Sequence, residues 1–365
     1  RIEIDPMNLN SHPKVKDALL DLGWVPTEHN YKKDRKGNFE KDSMGQRIPT
    51  SPKLTEDSYG SLPPGVGREL AEYLMLAHRR RFILNEKRND KGALSYVRKN
   101  GYAPADGFTC GTNTSRYRHK GCLVNMPAVD TIYGKEIRSL FTVAFGHLML
   151  GIDLKGIEAR LMGHYAWFYD GGKYAKIVLE KDIHDANAAI LGCSRGRAKS
   201  FLYAISYGAG VAKLASVLGV SYGEAKRLIE KYWSTHIGLK KLIASLELEY
   251  SKNGGWITGL DGRKLYIRSP HKLLNTLIQA AGAIVFKRWM VRCWQYLDHP
   301  CRFEAYQILA MHDELAWDCY SDDESQVRHL GNRMIELIVS TGIDLKLNVP
   351  LTGDMKIGRN YSEVH

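Results

Sequence analysis

The segment GIDLKGIEAR, residues 151–160, joins a strand-like apolar run to a helical pattern and places a carboxylate at the junction. The apolar run reaches Asp153, and the helical pattern starts directly after it. A carboxylate at a strand end is well placed to hold Mg²⁺, which takes oxygen ligands and keeps positions open for substrate phosphates. The alternative is an aspartate that caps the following helix. Taken alone, the position favours the cap.

A second acidic segment, MHDEL at residues 311–315, is flanked by apolar residues on both sides. Its adjacent acids, Asp313 and Glu314, are costly to bury in a strand without a cation or hydrogen-bond donors. A tight turn between two strands would instead leave them solvated. If Asp153 and Asp313 lie together, they could bridge two metal ions about 3.5–4 Å apart, as in displacement at phosphorus.

Between these segments lies a basic and aromatic stripe. Its members recur every four residues: Arg195, Lys199, Tyr203 and Tyr207. On a helix that ends near Gly208, this spacing predicts one continuous stripe about 18 Å long. Arg195 and Lys199 carry like charges one turn apart, and a triphosphate lying along the stripe would relieve their repulsion. The alternative is a solvated basic face with two packed tyrosines.

Composition and charge narrow the class of protein. With 44% hydrophobic and 25% charged residues, the 365-residue chain is typical of a globular protein and not of a disordered one. Lys and Arg number 52 against 40 acidic residues, a formal charge of +12. This excess favours a nucleic-acid partner, with plain solubility as the alternative.

Cysteine spacing and apolar runs predict the compartment. The six cysteines form no C-x-x-C pair, which favours free thiols in a reducing cytosol over zinc clusters or disulfides. The longest apolar stretch, 140–152, is too short to cross a membrane, and no signal peptide is evident. We therefore expect a cytoplasmic protein without a membrane partner.

Periodicity and turn signals predict a mixed chain. The expected elements are a helix at 13–22, a surface loop or linker at 29–64, a helix at 66–86, strands within 95–153, helices across 156–250, a hairpin turn at 260–263, a helix at 272–294, a strand pair around 312 and a last helix at 322–339. No internal repeat is present. The pattern indicates an α/β or α+β core with a helical insertion, and we assign the α+β (mixed) class.

The three segments resemble motifs A, B and C of family A DNA polymerases, the DNA polymerase I-like group. Residues 153–160 resemble motif A, residues 195–208 motif B and residues 312–314 motif C. The intervening DIH at 182–184 and GLDGRK at 259–264 fit the same family. The chain is most similar to the replicative polymerases of short-tailed phages, from about Asn10 to His365. The resemblance implies template-directed addition of deoxynucleotides to a primer 3′ end with release of pyrophosphate, in phage DNA replication.

The resemblance also implies a metal site. Asp153 and Asp313 would bind two Mg²⁺ ions, for which Mn²⁺ could substitute, and the backbone of Leu154 would complete the nucleotide-bound metal's site. Glu314 would support these ligands as a neighbouring acid.

By the same resemblance, residues on and near the stripe would hold the incoming nucleotide. Lys199, Arg195 and His184 would bind the triphosphate, and Lys199 could donate a proton to the departing pyrophosphate. Tyr203 would contact the sugar, and its hydroxyl would favour acceptance of dideoxynucleotides. Glu158 would crowd the 2′ position and exclude ribonucleotides.

A further group would contact the nascent base pair and the DNA. Tyr207 would pack near the base pair. Arg116 and Gln279 match residues that probe the minor groove, where acceptors common to all pairs report correct pairing. Asn275 and His312 would lie near the primer end.

The implied architecture is a right hand with a partial thumb and no exonuclease domain in this chain. Residues 1–90 would form the partial thumb and a linker, 91–165 and 290–365 the palm, and 166–289 the fingers. Primer–template DNA would run between thumb and palm. We expect a separate chain to carry the exonuclease and the rest of the thumb, unless these parts were cut away or left out.

Two other functions stay open. A single-subunit RNA polymerase or reverse transcriptase shares the two-aspartate chemistry, although Glu158 and Tyr203 favour deoxynucleotides. A non-catalytic DNA-binding subunit would explain the basic charge, but it would not need the stripe beside two aspartates.

Overall fold

The computed structural model describes residues 11–26, 28–34, 39–43, 46–54, 56–84, 86–87, 90–123, 126–299 and 303–365. The predicted start of the family resemblance at Asn10 and the sixth cysteine, Cys301, lie outside these residues. Two compact units divide the chain, Arg1–Asn100 and Gly101–His365. The four-part division into thumb, palm and fingers stays a prediction. Within the described ranges, no helix is long and apolar enough to cross a membrane, and the five cysteines there are free thiols.

The first unit is built on two helices, both close to the predicted ranges. Its elements are the helices α1 (His12–Asp21) and α2 (Val66–Leu84), the strands β1 (His29–Tyr31), β2 (Pro49–Pro52), β3 (Glu86–Lys87) and β4 (Asp90–Lys91), and the 3-10 helices Glu56–Ser61 and Ala93–Tyr96. Apolar residues of α1 and α2 form a small core with Trp24, whose indole N–H donates to Ser61 Oγ at 3.2 Å. The core buries Leu70 and Leu74 of α2.

The predicted loop at 29–64 is wrong in part, because it contains a β-ribbon. Strands β1 and β2 pair antiparallel, and bridges join Lys33 to Phe39 and Lys41 to Arg47. The Arg47 guanidinium lies 4.2 Å from the centre of the Phe39 ring. The scarcity of apolar residues predicted an unpaired loop. Cross-strand cation–π contacts stabilise the pairing instead, although the ribbon buries no apolar face.

The second unit combines one larger sheet with a block of helices. Its helices are α3 (Gly134–Ser139), α4 (Ile157–Asp170), α5 (Lys173–Glu180), α6 (Ile183–Leu191), α7 (Arg195–Ser206), α8 (Val211–Leu218), α9 (Tyr222–Thr235), α10 (Ile237–Lys252), α11 (Leu273–Leu297), α12 (Glu324–Asp344) and α13 (Tyr361–Val364). Its strands are β5 (Gly107–Phe108), β6 (Arg118–His119), β7 (Leu148–Leu154), β8 (Trp256–Thr258), β9 (Lys264–Tyr266), β10 (Ala305–Met311), β11 (Glu314–Cys319) and β12 (Gly353–Gly358). Short 3-10 helices lie at Gly121–Leu123 and Pro270–Lys272.

Four antiparallel strands form the sheet that carries the acidic segments, in the order β10-β11-β7-β12. Helices α11 and α12 pack together beside it, and the indole N–H of Trp289 donates to the Met334 carbonyl at 3.0 Å. On β7, Gly151 allows α13 to approach closely, because a Cβ there would lie 2.6 Å from the Val364 carbonyl oxygen. Strand β7 is buried along its length except at Asp153.

Most sequence-based elements of the second unit are confirmed. The helices across 156–250, the hairpin at 260–263, the helix α11 and the strand pair around 312 are all present. The strands expected within 95–153 are mostly absent from the described part of that range, where β5 and β6 have two residues each and only β7 is long. Neither β12 nor α13 was predicted, and the helix expected to be the last is followed by both.

The helical block contains a buried histidine at the start of α10. The His236 ring lies among the rings of Tyr174 and Tyr232, with centroids 5.1 and 4.6 Å away, and its Nε2 contacts Asn187 Oδ1 at 3.1 Å. Burial lowers the pKa of His236 to about 4. Since the folded state resists the proton that the unfolded chain binds near pH 6.5, this residue favours folding at neutral pH, and its contribution is lost as pH falls towards 4.

We therefore expect the free energy of unfolding to fall by about 2–3 kcal/mol between pH 7 and pH 4.5 because of His236 alone. Urea titrations of the native chain and of His236→Gln, each at both pH values, give the fall in unfolding free energy from pH 7 to pH 4.5. The difference between the two falls is the contribution of His236. The exposed His329→Gln serves as the control. An equal fall in unfolding free energy in the native chain and in His236→Gln would contradict the lowered pKa of His236.

Candidate active site

Three carboxylates lie in a row across one end of the sheet. In the antiparallel register, Glu314 of β11 and Asp354 of β12 lie on either side of Asp153 of β7. Asp313 occupies the turn between β10 and β11, and its carbonyl accepts the Leu154 N–H at 3.1 Å. Like charges directly opposite one another destabilise a sheet. Lys155 Nζ pairs with Asp354 Oδ1 at 3.0 Å, and a bound cation would offset the repulsion that remains.

The helix-cap alternative for Asp153 is wrong. Asp153 lies within β7, whereas α4 begins at Ile157 and has Gly156 at its N-cap position.

The pKa values of both aspartates in the acidic cluster are raised. Burial, followed by the charges of Asp313, Glu314 and Asp354, raises the pKa of Asp153 to about 7. The residue is accessible to solvent on one side, but neighbouring protein atoms and carboxylates still crowd its charge. Burial also raises the pKa of Asp313, against the opposing charges of Arg116 and His312. An oxygen-rich, charge-repelled pair of this kind is a suitable ligand set for a hard divalent cation.

Glu314 is held by two residues in the α13 region, Tyr361 and His365. It is only 4% exposed, and its Oε2 accepts hydrogen bonds from the Tyr361 hydroxyl at 3.3 Å and His365 Nδ1 at 2.5 Å. Its Oε1 is buried and has no hydrogen-bond partner among the described residues. The predicted turn is confirmed, with His312 at a φ of 55°, but the alternative in which both acids are solvated is wrong for Glu314.

The carboxylates do not form a closed metal cage. Within the described part of the chain, no group of three or more His, Cys, Asp or Glu side chains is arranged to hold a metal ion. Two aspartates and a backbone carbonyl would therefore leave several positions of a cation open. Mg²⁺ sites that also bind substrate phosphates have this incomplete protein shell.

The stripe forms one exposed face of α7, and its last member, Tyr207, directly follows the helix at the C-cap position. The opposite face packs into the helical block through Ala198, Phe201, Leu202 and Ile205. Ser194 caps the first turn by accepting the Arg197 N–H, and Gly208 follows the last turn with a φ of 77°.

Gln279 links the stripe to the segment that follows Asp153, because it donates to both the Tyr207 hydroxyl and Glu158 Oε1. Burial raises the pKa of Tyr203, with further contributions from the charges of Glu158, Asp313 and Asp153. The basic end of the stripe lies near His184, whose pKa is lowered by burial and by the charges of Arg195 and Lys199.

Asp182 organises the basic end of the stripe and was not among the predicted site residues. One of its oxygens caps α6 by accepting the N–H groups of His184 and Asp185 at 2.8 and 3.1 Å. The other accepts from Arg195 Nη2 at 2.6 Å. A single carboxylate thus orients both His184 and Arg195, two of the residues predicted to bind the triphosphate.

Gln279 joins residues that the sequence analysis named separately. Its Nε2 donates to Glu158 Oε1 at 2.5 Å and to the Tyr207 hydroxyl at 3.1 Å, and its Oε1 accepts from Arg116 Nη1. Burial raises the pKa of Glu158 even though Arg116 and the Gln279 hydrogen bond favour its charged form. One hydrogen-bonded network therefore joins residues with three different predicted roles. These roles are to probe the minor groove, to exclude ribonucleotides and to pack on the base pair.

The remaining predicted residues lie around this network. Asn275 precedes Gln279 by one turn on the same side of α11. The His312 ring packs edge-on against His119, with ring centres 5.6 Å apart. Burial lowers the pKa of His312, and the charge of Arg116 lowers it further.

The backbone next to Arg116 is held by two residues that sequence reasoning missed. Lys287 Nζ donates to the Ser115 carbonyl at 2.6 Å, and Arg263 Nη1 donates to Ser115 Oγ at 2.9 Å. Ser115 has a φ of 60°, which is uncommon for a residue with a side chain. No local signal could have revealed these contacts, because Lys287 and Arg263 are 172 and 148 residues away along the chain.

Comparison with known proteins identifies the family. The sequence pattern described as DNA polymerase family A matches residues 74–363. The chain belongs to DNA polymerase family A. It is 30% identical over 352 residues to the DNA-directed DNA polymerase of Escherichia phage T7, covering 88% of this chain and 47% of that protein. It is 28% identical over 394 residues to the DNA-directed DNA polymerase of Enterobacteria phage T3, covering 98% and 53%.

Among solved structures, the fold is similar to the POL domain of Pol1 from M. smegmatis in complex with DNA primer-template and dNTP. The TM-score is 0.75 at 23% identity, over 98% of this chain and 62% of that chain. The α+β fold and the resemblance to family A are thereby confirmed. The chain spans about half the length of the two phage polymerases.

Proposed function

We propose that this chain catalyses template-directed DNA synthesis, adding deoxynucleotides to a primer 3′ end with release of pyrophosphate. The observation that carries the proposal is the link between the stripe and the segment that follows Asp153. Gln279 Nε2 donates both to the Tyr207 hydroxyl at 3.1 Å and to Glu158 Oε1 at 2.5 Å. An acidic cluster near a basic and aromatic helix face suits a metal-bound nucleoside triphosphate. The basic end of the stripe would contact the phosphates, and the aromatic end would contact the sugar and the base.

In this proposal, Asp153 and Asp313 would hold two Mg²⁺ ions, for which Mn²⁺ could substitute, and the Leu154 backbone would complete one site. When bound, the cations would neutralise charge at the phosphates and favour ionisation of the primer 3′-hydroxyl. The two raised carboxylate pKa values and the unpartnered Glu314 oxygen support the fit, because each is a feature that nearby positive charge would stabilise.

The residues of the stripe orient the nucleotide. Arg195, Lys199 and His184 bind the triphosphate, and Lys199 donates a proton to the departing pyrophosphate. Tyr203 contacts the sugar, and Tyr207 packs near the nascent base pair. Arg195 and Lys199 lie one turn apart on the exposed face of α7, and Asp182 fixes the Arg195 guanidinium, so both cationic groups can contact one polyanion.

The DNA would be read through the network centred on Gln279. Arg116 and Gln279 would donate to minor-groove acceptors, and Asn275 and His312 would lie near the primer end. The formal charge of +12 supports contact with the phosphate backbone, and binding should weaken as salt rises. The proposed division stays as predicted, with a partial thumb at 1–90, a palm at 91–165 and 290–365, and fingers at 166–289.

Glu158→Ala is expected to increase ribonucleotide incorporation relative to deoxynucleotide incorporation by about 10–200-fold, because it removes the group proposed to crowd the 2′-hydroxyl. The measurement is the ratio of kcat/KM values for the matched ribo- and deoxynucleotide on one primer–template. Glu336→Ala, an exposed change on α12, is the control and should leave the ratio unchanged. An unchanged ratio in Glu158→Ala would remove Glu158 from sugar selection.

Primer extension with this chain, four deoxynucleotides and Mg²⁺ tests the proposed function. Extension that follows the template and stops with a chelator is the expected result. Ribonucleotide incorporation at matching rates would favour an RNA polymerase. DNA binding without extension, independent of Mg²⁺, would favour a non-catalytic subunit.

A further inference from the structure

We propose that Tyr361 and His365 are positioning residues that hold Glu314 in place and thereby set the divalent-cation affinity of the adjacent aspartates. The inference rests on the proposed cation site at Asp153 and Asp313. It assigns a part in the chemistry to the α13 region, which contributes none of the residues predicted from the sequence.

The first observation is how Glu314 is buried. The carboxylate is 4% exposed and lies directly across the sheet from Asp153. A buried carboxylate is stable only when donors or a cation compensate for lost water. Among the described residues, all of its hydrogen-bond donors come from Tyr361 and His365, and both bond to Oε2. The other oxygen, Oε1, is buried and unpartnered within the same residues, so Tyr361 and His365 supply all of the compensation found there.

The second observation is that Tyr361 is itself fixed by distant segments. Its N–H donates to the Phe141 carbonyl at 2.9 Å, and the Arg138 guanidinium lies 4.8 Å from the centre of its ring. Arg138 is held in turn by its Nε, which donates to the Pro127 carbonyl at 2.7 Å. A donor anchored in this way can keep one carboxylate oxygen in a single orientation, which a mobile surface tyrosine could not do.

His365 completes the arrangement one helical turn later. Its ring centre lies 5.4 Å from that of Tyr361, so both donors approach the same oxygen from one side. The missing Cβ of Gly151 lets α13 come this close to β7. If both donors are lost, the Glu314 carboxylate is no longer held in one orientation. The position of its charge beside the aspartates then changes.

Some side chains orient a metal ligand without binding the metal. Removing one of them changes the affinity for the metal by about 10–100-fold. A packing role alone would instead lower stability and leave cation affinity unchanged. The distinguishing quantity is therefore the affinity for the cation, measured separately from folding.

The test uses Tyr361→Phe, which keeps the ring and removes only the hydroxyl, His365→Leu, and the two changes combined. His365→Gln restores a donor of similar reach, and the exposed Tyr320→Phe is the matched control. Mn²⁺ binding to the protein without DNA or nucleotide is followed by the electron paramagnetic resonance of free Mn²⁺. The Mg²⁺ concentration for half-maximal primer extension and the thermal unfolding midpoint are measured alongside.

We expect the combined variant to weaken Mn²⁺ binding and raise the Mg²⁺ requirement by about 10–100-fold. His365→Gln should recover most of the affinity lost in His365→Leu, and Tyr320→Phe should match the native chain. If the combined variant unfolds, Tyr361→Phe alone must still show weaker Mn²⁺ binding.

Unchanged Mn²⁺ affinity in Tyr361→Phe and His365→Leu would overturn the inference, as would a native chain that binds no Mn²⁺. Failure of the native chain to extend primers would instead overturn the proposed function, while the Mn²⁺ comparison would still decide the role of these two residues.

Discussion

Replacing Asp313 by Asn is expected to reduce primer extension by about 10³-fold or more while leaving DNA binding largely intact. The amide has nearly the same shape but no charge, so it cannot neutralise a divalent cation. The turn should survive, because its contact with β7 uses the Asp313 backbone carbonyl, which accepts the Leu154 N–H at 3.1 Å. Single-turnover extension measures the chemical step, and fluorescence anisotropy with labelled primer–template measures binding.

Asp322→Asn, an exposed change of the same type between β11 and α12, is the matched control and should retain full extension. Equal losses of extension and DNA binding in Asp313→Asn would mean that the residue is structural. Retained extension would exclude Asp313 as a metal ligand.

The second large effect is expected at Gly208, which follows the basic and aromatic stripe. Its φ is 77°, and a Cβ there would lie 2.0 Å from the His271 carbonyl oxygen. Gly208→Ala therefore adds a clash with rigid backbone to the strain of a left-handed residue, and we expect a loss of about 2–5 kcal/mol in the free energy of unfolding. Extension should fall as well, because the shift displaces Tyr207 from the Gln279 network.

Gly192→Ala separates the two causes. Gly192 also has a positive φ, 64°, but a Cβ there would meet nothing within 4 Å, so only the backbone penalty of about 1 kcal/mol is expected. Urea unfolding of both variants gives the comparison. Equal losses at Gly192 and Gly208 would contradict the close approach of the His271 backbone.

Sequence patterns were informative where the signal lies within one element. The helix α7 was predicted together with its exposed stripe and its end, because helical periodicity brings side chains four residues apart onto one face. The hairpin joining β8 and β9 followed from an Asp-Gly turn, whose glycine has a φ of 80°. The order and spacing of the three chemical segments were enough to predict the family.

Patterns failed where pairing partners decide the structure. The ribbon of β1 and β2 lacks the apolar alternation that marks a strand, and its pairing depends on cross-strand contacts such as Arg47 on Phe39. Strand β12 is short, begins and ends with glycine, and is specified by its partner β7. The four-residue helix α13 is too short for a periodic signal, and the packing of Tyr361 against Arg138 stabilises it.

By itself, the sequence determined which chemical groups are present and how they are spaced within each element. The stripe on α7 is of this kind, because the covalent chain and helical geometry together place its four side chains on one face. Only the tertiary structure decided that Glu314, Asp153 and Asp354 lie side by side, and that Gln279 bonds to an arginine 163 residues away. These contacts join segments far apart in the chain, so they depend on strand register and helix packing, which local periodicity does not encode.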